Sequence, residues 1–198
     1  MVTARSIIAA LALMPASALA QNSYSFTNAG ESMVRYSVAS TQAAMGCASV
    51  TSLATAETTI VSARLVPAAD GVPEHCRVTG LIQPEIRFEV NLPSSWNRRF
   101  YMHGNGGFAG ETPEFASRPL YRATALRMGF ATATTNTGHD AGAEPLATFA
   151  MSYQKRVDYA FRAVHMTAVE AKRIVAAYYP APPPTPTGTA AQPAAARA

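Results

Sequence analysis

The sequence predicts an α/β fold, and three observations carry that expectation. An apolar, aromatic run, Phe100-Tyr101-Met102, feeds a glycine-dense turn containing Gly104, Gly106, Gly107 and Gly110, as a buried strand does when it ends in a loop. A second run, Gly129 to Asn136, follows a short helical segment and ends at Gly138 and Gly142. Further on, Val157, Phe161, Val164, Ala168, Ala171, Val175 and Tyr178 recur at steps of three and four, which is one apolar stripe on a helix from about Tyr153 to Tyr178. Strand, helix, strand with glycine turns at the strand ends is the rhythm of a parallel βαβ unit, and the long helix is suited to cover its sheet.

The first 20 residues read as a secretory signal peptide: a basic Arg5, an apolar run from Ile7 to Met14, and Ala18-Leu19-Ala20 as the cleavage site before Gln21. The expected compartment is therefore secreted or periplasmic. The apolar run is too short to cross a bilayer and no later segment is longer, so no membrane association is expected once it is removed. The net charge of +4 comes without a basic run or an aromatic-studded basic face, which argues against a nucleic-acid partner. In an exported chain the pair Cys47 and Cys76 reads as a disulfide; two buried free thiols are the alternative. Two cysteines without matching histidine spacing do not make a zinc site, and no metal is expected.

Residues 21–46 are small and polar, a lead-in to the domain at 47–179. Cys47 to Ala56 can form a short helix. Thr58 to Val66 is β-branched and bounded by Pro67, and the turn Asp70-Gly71-Val72-Pro73 leads to Cys76–Ile82 and Ile86–Leu92, making an N-terminal antiparallel ribbon. Ile86, Phe88, Val90 and Leu92 alternate with polar residues, which predicts one buried and one wet face. Pro93 to Asn97 is a turn carrying the only tryptophan, Trp96. Leu120 to Met128 is a helix stopped by Gly129, and Ser152 is placed to cap the long helix. At Pro180 the pattern ends; residues 180–198 form a Pro/Ala-rich tail that is disordered or polyproline.

The glycine turn is the chemically suggestive stretch. Gly106 and Gly107 can aim backbone N–H groups at a developing oxyanion, as acyl transfer requires, or the loop is an ordinary strand-to-helix turn. His103 and His139 can be drawn as a metal pair, or His139 with Asp140 as a base and its orienter; the plainer reading makes both histidines supports that fix loops. His75 reads as an exposed turn residue and His165 as helix packing. No serine lies in a Gly-x-Ser-x-Gly elbow, and Ser94-Ser95 sit in a turn.

Beyond these local readings, Cys47, His75-Cys76-Arg77-Val78-Thr79-Gly80, Ile86 to Pro93, Trp96 to Phe100, His103 to Gly110, Gly129-Phe130-Ala131, Asn136 to His139 and Asp158 to His165 occur in an order that resembles the N-terminal part of the tannase and feruloyl esterase family. The resemblance covers about Cys47 to Tyr179. It implies an α/β-hydrolase core, here incomplete, in a secreted serine esterase that takes small aromatic-acid esters such as gallates, ferulates or terephthalate monoesters. It implies that Gly106 or Gly107 is the backbone oxyanion donor and that His103 and His139 are supporting groups. Relatives hold a calcium ion in a lid, which the resemblance places beyond the C-terminus, so no cofactor is expected in this chain.

The family continues with a strand entering a G-C-S-T-G-G elbow and then the lid and the Asp and His of the triad, whereas this sequence departs from it at Pro180. With synonymous codons chosen for Pro180 to Ala198, a frame starting two bases later reads G-A-A-P-H-A-Y-W-D-G-C-S-T-G-G-R-Q-G, so the tail is expected to be a shifted frame. The resulting expectation is the front part of an aromatic-ester hydrolase, inactive as it stands. The competing expectation is a non-catalytic, exported, disulfide-containing remnant or binding module.

Overall fold

A computed structural model of the protein describes residues 39–180 except 114, 116 and 117. The expected signal peptide, residues 21–38 of the lead-in and residues 181–198 of the tail lie outside the described residues. Two short strands, β1 (Thr41–Gln42) and β5 (Ser95–Trp96), pair antiparallel as a small ribbon. The main sheet has five strands. β2 (Thr58–Val66), β3 (His75–Ile82) and β4 (Ile86–Pro93) form an antiparallel meander; β7 (Ala131–Thr135) joins β4 antiparallel, and β6 (Phe100–Met102) lies outside β7 and parallel to it. The expected βαβ unit is β6, α1 (Arg118–Arg127) and β7. The architecture is α/β with a mixed sheet.

Register sorts the residues of the sheet onto two faces. Val78, Val90 and Ala133 share one row, and with Ile82, Phe88 and Leu92 they build an apolar face. That face packs on Ala171, Ile174 and Val175 of α3 (Ala163–Tyr178). Arg77, Asn91 and Thr132 share a row on the opposite face, beside Glu89, and α1 covers them. The expectation of a wet face on β4 is corrected here. Arg87 is exposed, but Glu89 and Asn91 are buried, because β4 is an interior strand with a helix on each side.

Burial of Glu89 is made possible by full pairing. Arg77 Nε donates to Oε2 at 2.6 Å, and Arg122 Nη1 and Asn91 Nδ2 donate to Oε1 at 2.7 and 2.8 Å. One carboxylate thus ties β3, β4 and α1 together.

The long helix also departs from expectation. α2 (Tyr153–Val157), a π-helical turn at Asp158–Arg162 and α3 run on as one rod, and Ser152 Oγ caps it by accepting from Lys155 N as expected. Its apolar stripe breaks at the π turn: Phe161 is 73% and Val164 52% exposed, while Asp158, Ala163, Thr167 and Glu170 are buried. A π turn holds one residue more than an α turn, which rotates the following face by roughly 100°. The stripe at Ala171, Val175 and Tyr178 is on the buried side, and His165 is exposed rather than packed.

Cys47 begins a 3₁₀ segment, Cys47–Leu53, shorter than the helix expected to Ala56, and is disulfide-bonded to Cys76 of β3 with Cα atoms 5.5 Å apart. The free-thiol alternative falls away. Closing a loop of sequence separation 29 stabilises the fold by about 3 kcal/mol. Glu89→Ala removes the carboxylate that Arg77 and Arg122 share and is expected to lower stability by about 3–5 kcal/mol. The measurement is urea unfolding followed by the single tryptophan, and the joint change Glu89→Leu, Arg77→Met and Arg122→Met should recover most of the loss.

Candidate active site

The carboxyl ends of the parallel strands β6 and β7 open onto two loops, and in α/β sheets ligands bind outside such ends. His103 N donates to Ala133 O, extending the ladder by one residue before the glycine loop begins. Four carbonyls of that loop are then taken in turn. Gly104 O accepts from Arg118 Nη1 (2.9 Å), Gly106 O from Ala109 N (2.9 Å), Gly107 O from the Tyr159 hydroxyl (2.8 Å) and Gly110 O from Ala141 N (3.0 Å). A trans peptide sets each C=O antiparallel to the next N–H. The Gly106–Gly107 peptide, fixed through its carbonyl, therefore presents the Gly107 N–H on the other side. Neither Gly106 nor Gly107 donates its N–H to any partner among the described residues, and both are exposed with open space around them. Gly107 sits at φ +55°, where a side chain is strained.

The loop after β7 is tighter. Thr137, a β-branched residue, is held at φ +60° beside Gly138 at φ +86°. Asn136 holds this turn by accepting at Oδ1 from Arg87 N and Gly138 N and donating from Nδ2 to His139 O. His139 is buried, stacked on Phe149 with ring centroids 3.9 Å apart and edge-on to Tyr159. It also explains Gly110: at φ +84°, a Cβ there would stand 2.5 Å from His139 Nε2.

The histidines stand apart. His103 packs between Tyr101 and Tyr121, whereas His139 lies among Phe149 and Tyr159, so they form no pair. Asp140 does not orient His139; its carboxylate caps its own turn at Gly142 N and faces Arg87. Among the described residues no three His, Cys, Asp or Glu side chains converge. Neither the metal pair nor the base with its orienter forms among the described residues; each ring packs against the aromatic side chains beside its loop. His75 is corrected as well: it is buried at the start of β3, with Nδ1 at 2.9 Å from Pro73 O.

The sequence comparisons bear on this arrangement. A family profile described as tannase and feruloyl esterase matches residues 71–185. The chain belongs to the tannase and feruloyl esterase family. It is 38% identical over 154 residues to an uncharacterised esterase of Xanthomonas campestris, covering 69% of this chain and 25% of that protein. It is 32% identical over 130 residues to the mono(2-hydroxyethyl) terephthalate hydrolase of Piscinibacter sakaiensis, covering 56% and 21%. The crystal structure of feruloyl esterase B from Aspergillus oryzae superposes with a TM-score of 0.52 at 27% identity, over 63% of this chain and 28% of that one. The chain thus spans about a quarter of the length of these relatives.

Within this tannase-family chain, several further side chains build the loops. Arg118, 3% exposed, donates to Gly104 O and to Glu111 Oε2, and Asn105 Nδ2 donates to Thr135 O. Asp158, in the π turn, is fully buried; Oδ1 accepts from Gln154 and Arg162, while Oδ2 has no partner among the described residues. Its side chain packs under Gly138, where a Cβ would overlap it. Asn105 and Asp158 lie in two of the stretches that carry the family resemblance, which was the available signal for them; Arg118 lies in none.

Burial and the Arg118 guanidinium lower His103 to a pKa of about 4. His139 is also lowered, by burial; its ring nitrogens make no hydrogen bond of good geometry, although the Thr137 and Phe108 carbonyls are near enough to oppose the shift. Both rings are neutral at pH 7. A histidine depressed in the folded state gives stability that is present above its unfolded pKa of 6.5 and is lost as pH falls toward the folded value. Thermal melts should therefore show stability falling between pH 6.5 and about 4, and His103→Gln should flatten that part of the profile.

Proposed function

We propose that residues 47–179 are the N-terminal part of an exported serine hydrolase of small aromatic-acid esters, in which the Gly107 N–H is one of the oxyanion donors. The observation that carries this reading is the glycine loop whose Gly106 and Gly107 carbonyls are both engaged, leaving the amide between them free. In such a reaction a tetrahedral intermediate places negative charge on the former carbonyl oxygen. A fixed N–H aimed at that oxygen stabilises the transition state more than the neutral ester, and one donor is worth roughly 10²–10³ in rate. Tyr159 and Arg118 act as positioning residues, since each holds a carbonyl of the loop.

The attacking group is a different matter. A serine nucleophile needs a hydrogen-bonded base, and among the described residues no histidine nitrogen bonds a hydroxyl: His75 bonds a carbonyl, and both nitrogens of His103 and of His139 lack partners. Among the described residues β6 is an edge strand of the sheet, and this reading puts the nucleophile strand beside it. The calcium of the family's lid finds no converging donor set among the described residues, and no step is assigned to it.

The 198-residue chain is accordingly expected to hydrolyse neither methyl ferulate nor a p-nitrophenyl ester and to take no label from a fluorophosphonate. Turnover abolished by fluorophosphonate would contradict the assignment and reveal a nucleophile in the chain. Complete inertness with tight retention of an unhydrolysed ester would favour a binding module instead.

A further inference from the structure

The face of the sheet under α1 ends at a groove of about 290 Å³ beside β2, where Arg64, Arg77 and Arg122 gather. Register places Arg64 of β2 directly opposite Arg77 of β3, two like charges on one face, and Arg122 comes down from α1 into the same groove. Glu89 meets this cluster, but both of its oxygens are engaged by Arg77, Arg122 and Asn91. Arg122 spends only Nη1 there, and Arg64 makes no hydrogen bond or ion pair with the described residues. Asp70 lines the rim and its main-chain oxygen is taken by Arg127, but its carboxylate bonds none of the three guanidiniums. The remaining walls are apolar, formed by Val66, Val72 and Leu126.

We propose that this groove binds a small organic carboxylate, with Arg64 and Arg122 holding the anion and Val66, Val72 and Leu126 receiving its apolar body. Guanidiniums match a carboxylate's two oxygens with parallel N–H donors. The site is separate from the loops at the ends of β6 and β7 and does not depend on the esterase reading.

His75 provides a reporter. It lines the groove, bonds Pro73 O through Nδ1, and its pKa is lowered by burial, with the Arg122 and Arg77 guanidiniums adding to that and Glu89 opposing it. A carboxylate seated between the guanidiniums offsets their field and moves the His75 pKa up.

The test is an NMR titration of the full chain with benzoate, with benzamide as its neutral counterpart and with inorganic phosphate. Benzoate should shift the His75 ring resonances saturably and raise its pKa, and benzamide should not. Arg64 is exposed and outside the buried network, so Arg64→Gln should weaken benzoate binding about tenfold with an unchanged urea midpoint, and Arg64→Lys should restore part of it. Benzamide acting as benzoate does, phosphate binding as tightly as benzoate, or Arg64→Gln leaving the affinity unchanged would each overturn the assignment.

Discussion

The buried Glu89 carboxylate is the constraint from which much of this structure follows. A charge at the middle of a sheet is tolerated only when its oxygens are saturated, and here that requires donors from a neighbouring strand, from its own strand and from the helix above. The requirement fixes where α1 lies. Once α1 is placed, Arg118 at its first position falls within reach of Gly104 O and Glu111, so the anchoring of the glycine loop is inherited from an ion pair in the body of the sheet. The other face contributes the bulk of apolar burial through α3, and the disulfide holds the 3₁₀ segment to β3.

The two loops at the ends of β6 and β7 support one another by opposite means. The glycine loop is tethered through its carbonyls and keeps amides in reserve. The loop after β7 is held by Asn136 and by packing, with Asp158 beneath Gly138 and His139 against Gly110. Backbone at positive φ in Thr137 and Ala109 is kept in place by these surroundings. Such preorganisation is what a site needs if charge is to be stabilised without rearrangement at the moment of reaction.

Much of this was legible in the sequence where local chemistry decides structure. Thr58–Val66 forms its strand with the expected bounds because β-branched residues run up to a proline, and Ser152 caps its helix. The order of motifs from Cys47 to His165 pointed to the tannase and feruloyl esterase family, to which the chain belongs. What escaped depends on contacts between elements. Glu89 looked solvent-facing because alternation records one buried face and cannot reveal a helix laid over the other. The stripe of the long helix was followed at constant pitch, and a π turn changes pitch without any change in composition. Arg118 and Tyr159 carry no local sign of their roles, since nothing in the neighbouring sequence says that their hydrogen-bond partners are carbonyls of a distant loop.

The central claim is that the Gly107 amide is held free of internal partners while its neighbours are bonded. Amide hydrogen exchange, resolved residue by residue by NMR, tests it most directly. The account predicts that Gly107 exchanges at nearly the rate of an unfolded peptide while Ala109 and Ala141, which donate to Gly106 O and Gly110 O, are protected. Strong protection at Gly107, or none at Ala109 and Ala141, would contradict it.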